Sequence, residues 1–523
     1  MKVIRCLIIL SLFSLLQAQE PTEIWDMDYI TNPITLQPET LLSTDTTFMG
    51  LGFRTAWVRF SSIGDPGDTI RIEGFLAMPN TGTITKPGIV VTHGNGEQGN
   101  LLTAMGTAYA LQSVALSISG PGCGGSEGQP SDFENWIRIE PSVAYSWIYQ
   151  YAVAAMRGVT YLSTLPEVDS TFLAMTGPSA GGVATLLSAA VDNRLKYAIP
   201  IMASGDFTKA YLADGWLSYY LGDTLNPDSG QFARFINYLD PLSYVSTHST
   251  PTFLIVGAQD EFFTLDAVKS YLESLSPAMV RTLIVANWDH ATYYGPDPRY
   301  NSRYDAFDNS AVAGRKMLQA TTAGYLAIRT VGMLPPTPQV TASELFGEIN
   351  FTAMVTPIGV DSVFLCLSLD SGWTYQCHQM TQTIPTTYTY SLETDQPLSS
   401  MVYFAELHSS GLIMSSYPYM SQEMELRIRP AVEDTTFIDY EVQEKETRVK
   451  VYPNPASGKL YIASKSEISQ GEIYNITGKK VREFQGMQKL QFNLPAGIYF
   501  IRFRTVQGDW FTRKLLLLKG TTK

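Results

Sequence analysis

The sequence predicts a multidomain chain, in which a mainly parallel sheet flanked by helices is followed by two small all-β sandwich modules. Three observations predict it. From about Thr55 to Arg329, short β-branched runs alternate with longer helical ones. Beyond the stiff stretch Leu334-Pro335-Pro336-Thr337-Pro338, helical periodicity gives way to short strands separated by turn residues. At 523 residues the chain also exceeds what one core can organise, so roughly two to four domains are expected.

The elements follow in order. An antiparallel pair is expected at Thr55–Ser61 and Thr69–Met78. Strands should follow at Gly88–Thr92, Ser113–Ile118, Thr171–Thr176, Tyr197–Ala203, Pro251–Val256 and Arg281–Ala286. Most are continuous apolar runs, as strands buried on both faces should be. Ser204–Val245 is longer than an ordinary connection, and its Trp216, Tyr219, Tyr220, Phe232, Phe235 and Tyr238 suggest an inserted cap. A surface helix pair with no role in binding fits that segment equally well. The expected boundaries are 19–333 for the first domain, with the cap at about 204–245, then 339–430 for an immunoglobulin-like β-sandwich. There, strands such as Asp361–Leu369 and Met401–Leu407 alternate in hydrophobicity. The polar stretch Glu441–Arg448 sets off a last strand-rich module at 447–523.

Composition excludes some function classes. A net charge of −13 with no Lys/Arg cluster argues against a nucleic-acid partner. Charged residues make up 16%, below the usual quarter, which suits secreted β-rich proteins. Residues 1–18 carry the pattern of an export signal: Lys2 and Arg5, an apolar stretch Leu7–Leu16, then Ala18 at the cut. No later segment approaches the ~20 apolar residues of a membrane span. No Cys-x-x-Cys pair or His-rich cluster suggests a metal, and no cofactor is implied. Cys366 and Cys377 lie in adjacent strand-like segments and could bridge a hairpin in an oxidising compartment. Cys123 is then left over, and a packing role is favoured over a nucleophilic one.

Gly177-Pro178-Ser179-Ala180-Gly181 is the motif with chemical content. It reads Gly-x-Ser-x-Gly between the strand Thr171–Thr176 and a helical run from Gly182 to Ala190. A serine on so sharp a strand-to-helix turn needs small neighbours, and the turn lifts its hydroxyl above the sheet edge. Acyl transfer by such a serine requires a base, a carboxylate to orient the base, and donors for the oxyanion. Five histidines exist. His93 precedes the serine on a different strand end, His248 sits before a strand, and His378 and His408 fall in the sandwich. His290, four residues past the strand Arg281–Ala286, is where the base should be. Asp260 follows the strand Pro251–Val256 and is the expected acid, with Asp206 the rival and Glu261 expected to point away. The expected oxyanion donors are the backbone amides of Ala180 and of Asn95, in His93-Gly94-Asn95-Gly96. His93 itself reads as a buried brace of that loop.

With these residues laid out, Thr55–Arg329 resembles the α/β-hydrolase superfamily, and within it the acetyl xylan esterase, dienelactone hydrolase and prolyl-oligopeptidase group. Arg157–Asp169 looks like that group's approach to the serine strand. Gly120-Pro-Gly-Cys-Gly-Gly-Ser-Glu-Gly128 looks like its Arg-Gly-x-Gly-x-Ser-Glu-Gly loop, with Pro121 where arginine is common. Gly257-Ala-Gln-Asp-Glu-Phe-Phe263 has a further likeness to the PhoPQ-activated pathogenicity-related family. Val451–Gly458, Ile473–Lys479, Leu494–Arg502 and Lys514–Lys519 resemble the type IX secretion (Por) C-terminal sorting domain of Bacteroidota. That resemblance implies handling by the type IX secretion machinery, then release or cell-surface attachment. Together the resemblances imply a secreted serine hydrolase, an esterase of small-molecule or glycan acyl groups before a dipeptidyl- or prolyl-peptidase. No seven-fold repeat precedes the hydrolase region, so no propeller gates peptides. A surface binding protein on a disabled hydrolase scaffold is the alternative from another class.

Overall fold

The computed structural model describes residues 20–80, 82, 84–213, 229–290, 306–345, 347–357, 359–372 and 374–421. In the C-terminal module it describes 450–452, 459–463, 468–475, 480–485, 489–491, 497–506 and 510–517. The expected export signal, Trp216, Tyr219 and Tyr220 of the cap, and Glu441–Arg448 lie outside the described residues. The chain divides into two compact units, Met1–Ala431 and Val432–Lys523.

Nine strands form the first part of the central sheet: β1 (Glu39–Phe48), β2 (Leu51–Ile63), β3 (Thr69–Pro79), β4 (Lys86–Val91), β5 (Val114–Ile118), β6 (Val168–Pro178), β7 (Leu195–Ile201), β8 (Thr252–Gly257) and β9 (Val280–Val285). They lie in the order β1-β2-β3-β5-β4-β6-β7-β8-β9. β1, β2, β3 and β5 pair antiparallel, and every pairing from β5 to β9 is parallel. The expected opening pair is the interior of β2 and β3. β1 was not foreseen, because its mostly exposed polar residues carry no apolar alternation.

The apolar runs are continuous because both faces are covered. In β8, Leu254 and Val256 pack with the helices Trp147–Ser163, Ala180–Val191 and Leu265–Ser274. Phe253 and Ile255, on the opposite face, pack with the helices Leu101–Leu111 and Ala306–Val331. The helix Trp147–Ser163 is buried all round except at Ser163. The N-terminal segment covers its outer side: Arg157 donates from Nη1 to the carbonyls of Tyr29 and Asn32, both at 2.8 Å.

Residues beyond the proline linker form two antiparallel sheets, as a sandwich requires. One consists of β10 (Gln339–Leu345), β11 (Glu348–Met354), β14 (Thr381–Ile384) and β15 (Thr387–Glu393). The other consists of β12 (Val360–Ser368), β13 (Gln376–Gln379), β16 (Val402–Ser409) and β17 (Leu412–Ser415). This second sheet does not stand alone. β17 pairs with β9 through Ser415 and Thr282, so the central sheet runs on to thirteen strands. The physical reason is that β9 would otherwise be an open edge with unpaired backbone groups. The two cores are shared as well, since Leu365 and Leu407 join the face of Phe253 while Cys366 and Phe404 join the face of Leu254. Cys366 and Cys377 sit opposite each other in the β12–β13 hairpin and are disulfide-bonded.

Among its described residues the second unit carries seven short strands between Lys450 and Leu517, in a three-stranded and a four-stranded antiparallel sheet. Ile473, Phe484, Ile501 and Phe503 are buried in it.

Candidate active site

Four strands of the first unit end at one rim, and the site is built from the loops that leave them. β6 ends in the turn that carries Ser179, and the helix Ala180–Val191 begins at the next residue. Ser179 has φ 53° and ψ −118°, a conformation that costs on the order of 1–3 kcal/mol for a residue with a Cβ. The turn closes only because Gly177 and Gly181, on either side of it, lack side chains. A Cβ at Gly177 would lie 1.9 Å from Thr92 Oγ1, and one at Gly181 would lie 2.7 Å from the His93 carbonyl oxygen. The Ser179 N–H donates to the Ile201 carbonyl at 2.8 Å, which fixes the turn to the end of β7.

His290 Nε2 lies 2.9 Å from Ser179 Oγ. On its other side Nδ1 lies 2.9 Å from Asp260 Oδ2 and 3.1 Å from Oδ1. A carboxylate can only accept, so Nδ1 carries the proton and the Nε2 lone pair is left for the serine hydroxyl. All three residues are buried, Ser179 at 6%, Asp260 at 3% and His290 at 1% exposure. Asp260 is held by the N–H groups of Phe262 and Phe263, each donating to Oδ1 at 2.9 Å. The Phe262 ring stacks on the imidazole with centroids 4.2 Å apart. The loops after β8 and β9 touch at Gly257, where a Cβ would lie 2.1 Å from the Trp288 carbonyl oxygen.

The loop after β4 lies against the same turn. His93 N–H donates to the Tyr151 hydroxyl at 2.6 Å, Gly94 N–H to Glu97 Oε2, Gly96 N–H to Ser131 Oγ and Glu97 N–H to the Gly94 carbonyl. The Asn95 amide stands among them with no acceptor among the described residues. The Ala180 amide is likewise without one, as the first N–H of a helix is expected to be. His93 is a brace, as its sequence position suggested: Nε2 accepts the Gly120 N–H at 2.7 Å and Nδ1–H donates to the Gly94 carbonyl at 2.7 Å. Burial pushes its pKa down to about 4, so the ring is neutral.

Other candidates fall elsewhere. The Asp206 side chain caps the helix Phe207–Leu212, accepting from Lys209 N–H at 3.1 Å. His248 is buried against Thr252, its Nε2 lying 2.8 Å from Oγ1. Cys123 is buried, and burial raises its thiol pKa, the opposite of what a nucleophile needs. Of the cap aromatics, Phe232 and Phe235 are buried, and Phe207 packs near Phe263 with centroids 6.3 Å apart.

Three contributors were not read from the sequence. Tyr151, on the helix Trp147–Ser163, both accepts from the His93 amide and donates to its carbonyl at 3.1 Å. Glu73 Oε2 accepts from Gly125 N–H and Ser119 Oγ, pinning the glycine loop Gly120–Gly128. Glu261 does not point away. It is buried, and its Oε2 accepts the His290 backbone N–H at 2.8 Å. Burial, then the nearby charges of Asp260 and Asp289, raise its pKa well above the ordinary value. Nothing in sequence spacing marks these residues, since each acts across more than 25 positions.

Residues 450–517 match the secretion system C-terminal sorting domain. The C-terminal module is a sorting domain. Residues 140–297 match the PhoPQ-activated pathogenicity-related protein family, a span that includes Ser179, Asp260 and His290. No curated protein matches the chain. The structural neighbours are acetyl xylan esterases and other α/β-hydrolases. An acetyl xylan esterase from Paenibacillus sp. R4 is 18% identical, with a TM-score of 0.45 over 54% of this chain and 90% of that one. Acetyl xylan esterase 1 from Thermoanaerobacterium sp. JW/SL YS485 is 14% identical, with a TM-score of 0.43 over 56% and 93%. An acylaminoacyl peptidase from Pyrococcus horikoshii is 17% identical, with a TM-score of 0.39 over 52% and 42%.

Two outcomes follow from the geometry. Gly177→Ala should destabilise the protein by at least ~1–3 kcal/mol, because the new methyl group meets the Thr92 side chain and backbone; urea unfolding measures it. His93 titrates at about 4 when folded and at 6.5 when unfolded, so the unfolded state binds the extra proton between those values. The stability it contributes is therefore complete above pH 6.5 and lost as pH falls toward 4. The deficit of a His93→Gln variant should accordingly shrink on acidification across that window.

Proposed function

We propose that this chain is a secreted serine hydrolase that cleaves carboxylic esters of small molecules or glycans, with Ser179, His290 and Asp260 as its triad. The observation that carries this is the unbroken hydrogen-bond chain from Asp260 through both nitrogens of His290 to Ser179 Oγ, at a residue held in a strained backbone conformation. In the forward step Ser179 Oγ attacks the acyl carbon while its proton passes to His290 Nε2. The negative charge on the former carbonyl oxygen is held by the Ala180 and Asn95 amides. Collapse expels the alcohol, which takes the proton from His290, and leaves an acyl-serine. Water then attacks the acyl carbon and gives up its proton to His290, which passes it to Ser179 Oγ as the acyl–oxygen bond breaks and the acid is released. Asp260 accepts from His290 Nδ1–H and so orients the ring and stabilises the imidazolium that forms twice per turnover.

The sorting domain supports export by the type IX route, and with it a glycan or other external ester as the target. A Sec-type signal at 1–18 completes that route in this proposal. Among the described residues no helix is long and apolar enough to cross a membrane.

A fluorophosphonate probe on the mature protein should label the peptide containing Ser179, and p-nitrophenyl acetate should be hydrolysed faster than an Ala-Pro anilide. Ser179→Ala should abolish labelling and His290→Ala should nearly do so. Asp260→Asn should lower kcat by about 10⁴ with the fold intact. Faster turnover of the anilide would move the assignment to a peptidase, and a Ser179→Ala variant that is still labelled would refute the nucleophile.

A further inference from the structure

The hairpin β12–β13 is closed by the Cys366–Cys377 disulfide, and the connection between its strands carries Tyr375 to the loop that holds His290. Asn287 grips the Tyr375 backbone at both of its polar groups. Nδ2 donates to the Tyr375 carbonyl at 2.8 Å, and Oδ1 accepts the Tyr375 N–H at 2.9 Å. The same Oδ1 accepts from Gln259 Nε2 at 3.2 Å. One side-chain amide thus links the loop after β8, the loop after β9 and the hairpin of the strand module. Asn287 has φ +57°, a left-handed conformation that asparagine tolerates better than most residues, so the chain reverses here on its way to His290.

This linkage matters because a general base works only when its ring is held within reach of the proton it takes. His290 is three residues beyond Asn287, and its own loop contributes the Trp288 carbonyl to Gln259 N–H at 3.2 Å and the His290 N–H to Glu261. Those contacts tie the loop to its neighbour after β8. The contact with Tyr375 reaches beyond both loops, to a hairpin anchored in the sheet through β12, β16, β17 and β9.

We infer that Asn287 is a positioning residue for His290, and that the disulfide-closed hairpin serves the active site by giving Asn287 a fixed backbone to hold. The inference rests on the triad proposed above. It assigns the strand module a part in the reaction rate, separate from any ligand the module itself could take.

Two substitutions test it on the full-length mature protein with p-nitrophenyl acetate. Asn287→Gly keeps the left-handed backbone without strain and removes all the side-chain hydrogen bonds. Asn287→Asp keeps the acceptor for Tyr375 N–H and loses the donor to its carbonyl. The expected result is a kcat about 10- to 100-fold lower for Asn287→Gly with KM nearly unchanged, and an intermediate kcat for Asn287→Asp. A Cys366→Ala/Cys377→Ala double variant, assayed below its melting temperature, should lose kcat in the same direction. A purely structural role would lower the melting temperature and leave the kcat of the folded fraction alone. Folded Asn287→Gly with wild-type kcat overturns the proposal, and if that variant does not fold, wild-type kcat in Asn287→Asp does so. Failure of the wild-type protein to hydrolyse any ester or to label at Ser179 is a different result, which removes the triad and this inference with it.

Discussion

The backbone of Ser179, φ +53° with ψ −118°, lies outside the regions that a residue with a side chain readily adopts, and the packing around it holds it there. Gly177 and Gly181 let β6 and the following helix close on Thr92 and His93, and the Ser179 amide is tied to Ile201. The serine therefore projects from the rim where β4, β6, β8 and β9 end. Every other part of the site is arranged around that fixed hydroxyl. Among the described residues the amide at the helix start and that of Asn95 in the loop after β4 have no acceptor, and the loops after β8 and β9 bring in a carboxylate and an imidazole. The strain at one residue is sustained by the packing of the sheet, whose central parallel strands are largely buried on both faces.

Electrostatics divides the buried polar groups by task. Asp260 lies at the end of a chain of hydrogen bonds that leads to the serine. Glu261, one residue on, is pushed toward its neutral form by burial and by two neighbouring carboxylates, and it holds the backbone of His290 instead. Asp240, buried and raised to about 7, accepts the amides of Asp206, Phe207 and Leu242 and organises the start of the cap. His93, lowered to about 4, is kept neutral so that it can accept the Gly120 amide. Adjacent carboxyl groups thus differ in function through what surrounds them, a difference that residue type alone does not encode.

What was legible in the sequence follows from this. The parallel strands were legible because double burial writes them as unbroken apolar runs, and the turn at Ser179 because its sterics admit few residues. His290 and Asp260 could be placed because strand ends of one parallel sheet share a rim, so chain order predicts proximity. The pairing of β17 with β9 was not legible. An edge strand carries no mark of the partner that will cover it, and the proline linker read as a boundary between independent modules. Tyr151, Glu73 and Asn287 were missed for a related reason: each acts through backbone groups of distant residues, and such contacts leave no pattern in either sequence segment. Glu261 was misplaced because strand-like alternation does not apply in a loop that turns as tightly as the one after Gly257.

In the proposed mechanism this turn presents one hydroxyl to one imidazole and two backbone amides. The most direct measurement is a crystal structure of the mature protein after reaction with a small alkyl phosphonate. The expected result is phosphorus bonded to Ser179 Oγ, His290 Nε2 beside the adduct, and a phosphoryl oxygen accepting from the amides of Ala180 and Asn95. Phosphorus on another residue, or its oxygen turned away from both amides, would contradict it.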